Sequence, residues 1–490
     1  MAELNLNQVT NLRIYPASVS EAGGATYFLG RRGTGKFVGS VGEAGIVGQV
    51  VATVDRRPVI VGAANHVNAC VIRGNLPWTA PRCLGLATSV GLGDRLGLAT
   101  PGHIRAVRSG GRGIAPVFAQ QSIREMTRTR RTPNEVMDCA TWGVLQEGYR
   151  DGFGSDADHL RKPEDIDATA AAGFTMFTID PGAHVENSAD KLDLDSLSRS
   201  FTGLDFSTLA ASQEDLRRLY AGKTFPLSDG TGIRFTDETF LRAAVKYGSA
   251  VAHAVRMFRH LQHACGRRFE LEVSVDETET PTSPAEHYFF AAELKRLGLT
   301  WVSMAPRFVG RFEKGVDYIG GLNAFRRSFA RHVAVMRTLG PYKISVHSGS
   351  DKFRVYPIVA ELTEGLVHLK TAGTSYLEAL RAIAEIDPDL FREILDFARG
   401  RYETDKATYH VSADARKVPA ASSLKDADLP ALLEDFHARQ VLHCTFGSVL
   451  TADGGDRFRK RLYAALGSAE EAYYDVLEKH LGRHVRPFAD

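Results

Sequence analysis

Cysteine is scarce in this chain: five residues in 490, at Cys70, Cys83, Cys139, Cys265 and Cys444, with no CxxC pair. An odd, scattered set supports neither a disulfide framework nor a thiolate zinc site, and a reducing cytoplasm is the expected setting. Charge of one sign is also lacking. Lys and Arg number 60 against 58 Asp and Glu, a net of +2, so the composition carries neither a nucleic-acid footprint nor an acidic tail. No apolar run reaches the ~18 residues of a membrane span. MAELNLNQVTNLRIYP lacks the basic-then-apolar order of a secretion signal. A dinucleotide fingerprint is missing: GLGDRLG (91–97) departs from the GxGxxG spacing, and no acidic partner follows a βαβ unit. GRRGTGKF (30–37) has the outline of a phosphate loop. Phe37 stands where Ser or Thr would hold magnesium, however, and no helix pattern follows, so it reads as a glycine turn.

What remains is a globular composition, 44% hydrophobic and 24% charged, which excludes a disordered chain, a collagen and a coiled coil. The length suits two or three domains, or one large barrel with additions. Residues 1–105 are rich in Gly and Val and break into short β-prone runs, which predicts an N-terminal β-rich cap or extension. Over 106–415 short apolar runs alternate with longer amphipathic ones. The predicted strands are 114–120, 152–158, 174–180, 269–276, 300–306, 342–347, 366–371 and 407–412. Segments such as PNEVMDCATWGVLQEG and NAFRRSFARHVAVMRTLG carry apolar residues at i, i+3 and i+4 and read as the intervening helices. Eight strands alternating with helices predict an α/β fold, a (β/α)8 TIM-like barrel. The stretch 185–233 reads as an insertion, and 416–490 as a C-terminal helical extension with a last long helix from about Asp456 to Leu481.

Strand parity sorts the polar residues. In FELEVSVD, Leu271, Val273 and Val275 belong to the helix-facing side, so Glu270, Glu272, Ser274 and Asp276 face the barrel interior. By the same rule Lys343, Ser345 and His347 point inward from YKISVH, and His368 and Lys370 from LVHLKT. Burying so many polar groups is costly unless they pair with one another or bind something. GSDADHL adds Asp156, Asp158 and His159, types that suit a divalent cation. PRFVGRFEKG adds Arg307, Arg311 and Lys314, and arginine forks suit a carboxylate or phosphate.

The runs PVFAQQSIREMTRT, GFGSDADHL, FTIDPGAHV, EVSVDETETPTSP, APRFVGRFEKGVDYIG, YKISVHSGSDKF, LVHLKTAGTSYLEALR and TYHVSA resemble the bacterial tagaturonate epimerases, from about Pro116 to Ala413. The resemblance implies an isomerase that interconverts D-tagaturonate and D-fructuronate in hexuronate breakdown, and related catalysts act on D-tagatose and D-fructose. It also implies a divalent metal, with Zn, Mn, Ni or Co suitable, and an acid/base pair. Carried onto the matched motifs, it assigns acid/base catalysis to Asp158 with Glu272 or Asp276, and metal binding to His159, His347 and His368. Arg307, Lys343 and Arg311 are the candidates for a substrate carboxylate. The implied partner is a small ketose or keto-uronate, with neither nucleic acid nor membrane, and a homo-oligomer is left open.

The carbon inverted in that reaction lies β to the ketone, so its C–H is not acidified and enolisation cannot invert it. Retro-aldol cleavage, rotation of the aldehyde and re-addition would. That route needs a base for the hydroxyl proton and an electrophile for the developing enolate. A Schiff base on Lys370 or Lys343 is the metal-free version. The alternatives on the same barrel are a metal-dependent aldolase or ketose isomerase. Outside enzymes, the alternative is a sugar-acid or nucleotide-binding protein using the N-terminal glycine loop.

Overall fold

The computed structural model describes residues 6–490; the first five residues of the N-terminal stretch read above lie outside them. Eight parallel strands close into a barrel. In chain order they are β1 (Ser89–Gly91), β2 (Ala115–Ser122), β3 (Gly154–Leu160) and β4 (Met176–Ile179). They continue with β5 (Glu270–Ser274), β6 (Ser303–Ala305), β7 (Lys343–Val346) and β8 (Val367–Lys370). β8 pairs with β1, His368 opposite Ser89, which closes the ring. The fold is thus the predicted α/β barrel, with one strand exchanged. The first strand is Ser89–Gly91, inside the stretch expected to be an extension, and 407–412 is not a strand. That segment leaves a 3-10 turn (Lys406–Thr408) and runs across the barrel, with Tyr409 Oη taking a hydrogen bond from Arg128 and Ser412 Oγ bonding to Glu313. Its alternation reflects Tyr409 and Val411 packing on the core while His410 and Ser412 are exposed, not a ladder.

The helices between strands show why the sequence folds this way. α1 (Thr100–Gly110) and α2 (Pro133–Glu147) follow β1 and β2. α2 opens on a capping box between Thr132 and Glu135 with Pro133 at its first position, and ends on left-handed Gly148. α3 (Pro163–Ala172) follows β3 and α4 (Asp237–Ala264) precedes β5. α5 (Pro284–Arg296), α6 (Leu322–Leu339), α7 (Tyr356–Thr363) and α8 (Thr374–Ile386) complete the wheel. The stretch 185–233 lies between β4 and α4 and holds two short helices and a two-stranded hairpin.

Outside the barrel, an antiparallel sheet spans Arg13–Ala63, followed by a helix at His66–Asn75. GRRGTGKF is the tip of a hairpin in this sheet, Arg32 opposite Gly35, so no phosphate loop forms. Tyr27, Leu29, Val38 and Ile72 of this unit pack on Trp142 and Leu145 of α2, which fixes it to the barrel wall. At the other end, α9 (Pro388–Asp405) and α10 (Phe436–Cys444) precede α11 (Arg459–Ser468) and α12 (Glu470–Val485). The expected single long C-terminal helix is split at Ala469, whose φ and ψ of −117° and 43° leave the helical region. Among the described residues no helix is long and apolar enough to cross a membrane.

Candidate active site

The C-terminal ends of the strands carry the polar side chains that parity placed inside. Lys370, the last residue of β8, sits at the centre. Its Nζ lies 2.7 Å from Asp158 Oδ1, 2.8 Å from Asp156 Oδ2 and 2.7 Å from Glu272 Oε1, and it donates to Thr178 Oγ1 at 2.8 Å. All of these side chains are buried. Burial opposes the charge on Lys370, but the three carboxylates outweigh it and hold the ammonium well above the usual lysine range.

A bulge brings two consecutive residues into the mouth. Across β3 and β4, Phe177 pairs with Ala157 and Ile179 with Leu160, so β3 carries one residue more. His159 takes up the difference with a left-handed φ of 54°, which is uncommon for a residue with a Cβ. Asp158 and His159 therefore both reach the same space. His159 Nδ1 contacts Asp180 Oδ2 at 3.1 Å, and its Nε2 faces Asp158 Oδ1 at 3.8 Å. Just past the end of β7, His347 Nε2 meets Glu272 Oε1 at 2.6 Å, and its Nδ1 lies 3.3 Å from Asp276 Oδ1.

Asp158, His159 and His347 offer ligand atoms that all lie within 4.8 Å of one another. The set fits a divalent cation on three grounds. Two imidazoles and a carboxylate are suitable ligands for a first-row metal. The Asp180 contact on His159 Nδ1 leaves Nε2 with its lone pair toward the site, the usual outer support of a metal-bound histidine. Carboxylates also outnumber cations here. Burial works against a charged imidazole, yet Asp158, Asp180 and Glu277 push His159 up to about 10. Asp276 and Glu272 likewise raise His347 to about 9 against burial and Lys370. Without a cation, the two histidines hold protons in its place.

Two hollows open onto this group. One, of about 280 Å³, is lined by Asp276, Arg307, Arg311, Lys314, His347 and Tyr409. The other is small and lies deeper, against Asp158, His159, Lys370 and Gly373. Lys314, His347 and Ser348 line both. Arg307 Nη1 is buried without a hydrogen-bond partner. Arg311 stands at the rim, 59% exposed, beside Glu313. Gly373 is required by close approach, since a Cβ there would come within 2.0 Å of the His443 ring.

The structure gathers Asp158, His159, Glu272, Asp276 and His347, and brings Arg307 and Arg311 to the adjoining hollow. It separates two expected members. His368 lies one layer below the mouth, with Nδ1 2.9 Å from Ser89 Oγ, and is not in the ligand group. Lys343, the first residue of β7, bonds the same Ser89 Oγ and Ala87 O, below the mouth, and lines neither hollow. Glu272 lines neither hollow; it sits behind Lys370 and His347. Tyr409, expected within a strand at 407–412, reaches the hollow from a non-strand segment instead, and Ser348 lines both hollows from the loop after β7.

A second buried group, Asp351 with His480 and His484, also has ligand spacing. It is internally satisfied: Arg439 pairs with Asp351 at 2.8 Å, and His484 Nε2 accepts from the Asp351 backbone N–H. It ties the loop after β7 to α12.

The model of the family described as tagaturonate epimerase matches residues 15–488. A tagaturonate/fructuronate epimerase of Thermotoga maritima is 43% identical over 475 residues, covering 96% of each chain. A glycerol-complexed crystal structure of the fructuronate-tagaturonate epimerase UxaE from Cohnella laeviribosi superposes with a TM-score of 0.92 at 36% identity, covering 98% of this chain and 97% of that one. The native crystal structure of the same enzyme gives 0.91 at 36% identity, with 97% and 96% covered. An inward-facing cluster of carboxylates, histidines and a lysine at the mouth of a barrel thus occurs in a chain that aligns with these enzymes over nearly its whole length, and this chain, an isomerase, belongs to the tagaturonate epimerase family.

Proposed function

We propose that the protein interconverts D-tagaturonate and D-fructuronate by a metal-dependent retro-aldol route. The observation that carries this reading is the Asp158–His159–His347 group at the barrel mouth, flanked by Asp276 on one side and Lys370 on the other. A divalent cation held by these three side chains would supply the electrophile that favours negative charge on the substrate's ketone oxygen. In this reading Asp158 serves as a ligand rather than as the base, because its carboxylate belongs to the spatial group that His368 does not join.

The acid/base work then falls to Asp276 and Lys370. Burial would raise the Asp276 carboxyl, but His347, His159 and Ser274 hold it well below the usual range, so it is an anion able to accept the hydroxyl proton. The C–C bond between the ketone's α carbon and the hydroxyl-bearing carbon breaks, leaving an enolate and an aldehyde. The aldehyde turns, the enolate adds to its other face, and the new alkoxide takes a proton. Lys370, on β8, approaches from a different strand from Asp276 on the β5 loop, as proton return to the opposite face requires. Glu272, 2.7 Å behind Lys370, keeps that ammonium charged and oriented. A Schiff base on Lys370 is disfavoured because it needs a neutral amine. Arg307, with its unpartnered Nη1, is the binding group for the substrate carboxylate.

The test is NMR of the protein with D-fructuronate in D2O. The expected product is D-tagaturonate with protium retained at the inverted carbon. Deuterium at that carbon would overturn the route, and no epimer in the presence of metal would overturn the activity.

A further inference from the structure

Away from the barrel mouth, a cavity of about 520 Å³ lies between the N-terminal hairpin and the C-terminal helices. That volume suits a small metabolite. Its walls include Arg31 and Lys36 from the hairpin, Arg459 and Lys460 from α11, and the rings of Tyr463 and Tyr473. Two of the four cations are accounted for. Arg31 pairs with Glu470 at 3.3 Å and Lys460 with Asp456 at 2.6 Å. The other two have no carboxylate partner among the described residues. Lys36 Nζ donates to the neutral amide of Gln146 at 2.6 Å, and Arg459 Nη1 to the backbone carbonyl of Thr129 at 2.9 Å. The cavity's own carboxylates, Glu470 and Asp456, are engaged by Arg31 and Lys460, so four cations face two anions and Lys36 and Arg459 forgo the direct pairing that offsets their desolvation. Two unmatched positive charges are the complement of one phosphate dianion, and the tyrosine walls suit the body of a sugar or nucleoside.

The cavity and the catalytic mouth share two segments. Tyr473 Oη donates to Ser375 O at 3.3 Å, at the start of α8, and the preceding Ala372 and Gly373 line the deeper catalytic hollow. Tyr463 Oη donates to Leu96 O, and Leu98 lines the cavity while Arg95 of the same loop lines that hollow. A ligand that shifts either tyrosine therefore pulls on a loop of the active site.

We propose that this cavity is an effector site for a small phosphorylated metabolite, a sugar phosphate or nucleoside monophosphate, and that its occupancy changes turnover at the barrel mouth. The site is independent of which reaction the barrel performs, so its binding test does not depend on that reading.

The experiment is calorimetric titration of the full-length protein with AMP, D-fructose 6-phosphate and D-gluconate, alongside Lys36→Met and Arg459→Met variants whose folding is verified by thermal melting; Lys36→Gln replaces the first if it misfolds. The expected result is one-to-one binding of a phosphorylated probe, weakened at least ten-fold in each variant, with D-gluconate binding more weakly. A saturating phosphorylated probe should also change kcat for D-fructuronate at least two-fold in the native chain and leave the double variant unaffected. The proposal is overturned if neither phosphorylated probe binds, if binding ignores both substitutions, or if D-gluconate binds as tightly. Binding that leaves kcat unchanged overturns the coupling.

Discussion

Lys370 Nζ lies 2.7 Å from Glu272 Oε1, across a barrel interior where neither side chain meets bulk water. The pair joins the last position of β8 to the middle of β5, and Glu272 also holds His347. Its partners on either side, Asp158 and His347, are the side chains assigned to a cation. The site is thus one coupled network, and substitutions in it differ in which half they disable.

Lys370→Met removes the proposed proton donor and leaves three buried carboxylates without their cation. Turnover should fall by ~10²–10⁴-fold, the usual contribution of a positioned acid/base group. Bound metal should be retained, because the ligand group is intact. Steady-state kinetics with metal analysis of the same sample checks both, and a variant with near-native kcat would remove Lys370 from the mechanism.

His347→Ala and His368→Gln separate the proposed ligand from a histidine outside the ligand group. His347→Ala should lose bound metal and turnover together. His368→Gln should keep its metal and cost only stability, on the order of 1 kcal/mol, the net worth of its bond to Ser89. Loss of metal from His368→Gln would return that residue to the ligand set.

Arg307→Met tests the carboxylate. A hydrogen bond to a charged group is worth ~1.5–3 kcal/mol, so KM for D-fructuronate should rise by ~10–100-fold. Any turnover of D-fructose, which has no carboxylate, should be unaffected. An equal effect on both substrates would place Arg307 in general packing of the hollow.

Buried histidines make the fold acid-sensitive. Burial depresses His103 and His332, each to about 4 from an ordinary 6.5. His103 Nδ1 and His332 Nε2 have no partner to share a proton. Because the folded values lie below the unfolded one, the unfolded chain binds more protons between them. Stability is complete above pH 6.5 and is lost as pH falls toward 4, by up to ~1.4 kcal/mol per pH unit for each histidine. Urea midpoints at pH 7, 6 and 5 should fall, and less steeply in His332→Gln; an unchanged slope in that variant would exclude His332 as a contributor.

Much of this was readable from the residues because a barrel strand has a period of two. FELEVSVD, YKISVH and LVHLKT announced which side chains turn inward, and those side chains do. Parity carries no information about depth. His368 and Lys343 point inward as expected but lie below the mouth, since each precedes its strand's end by two or three residues. Strand β1 escaped notice because Ser89–Gly91 has three residues, too few to show alternation, and glycines follow it. The pairing of Asp158 with His159 depends on a bulge and a left-handed backbone, which no side-chain pattern encodes. Lys314 and Ser348 meet at 2.6 Å from two separate loops, a contact that only the assembled barrel creates.

The central claim is that a divalent cation at Asp158, His159 and His347 supports epimerisation of a keto-uronate. The most direct measurement is NMR of the protein with D-fructuronate before EDTA treatment, after it, and after add-back of Zn, Mn, Ni or Co in turn. The account predicts that D-tagaturonate forms, stops with EDTA and returns with at least one metal. Epimer formation at an undiminished rate in protein shown by elemental analysis to be metal-free would contradict it.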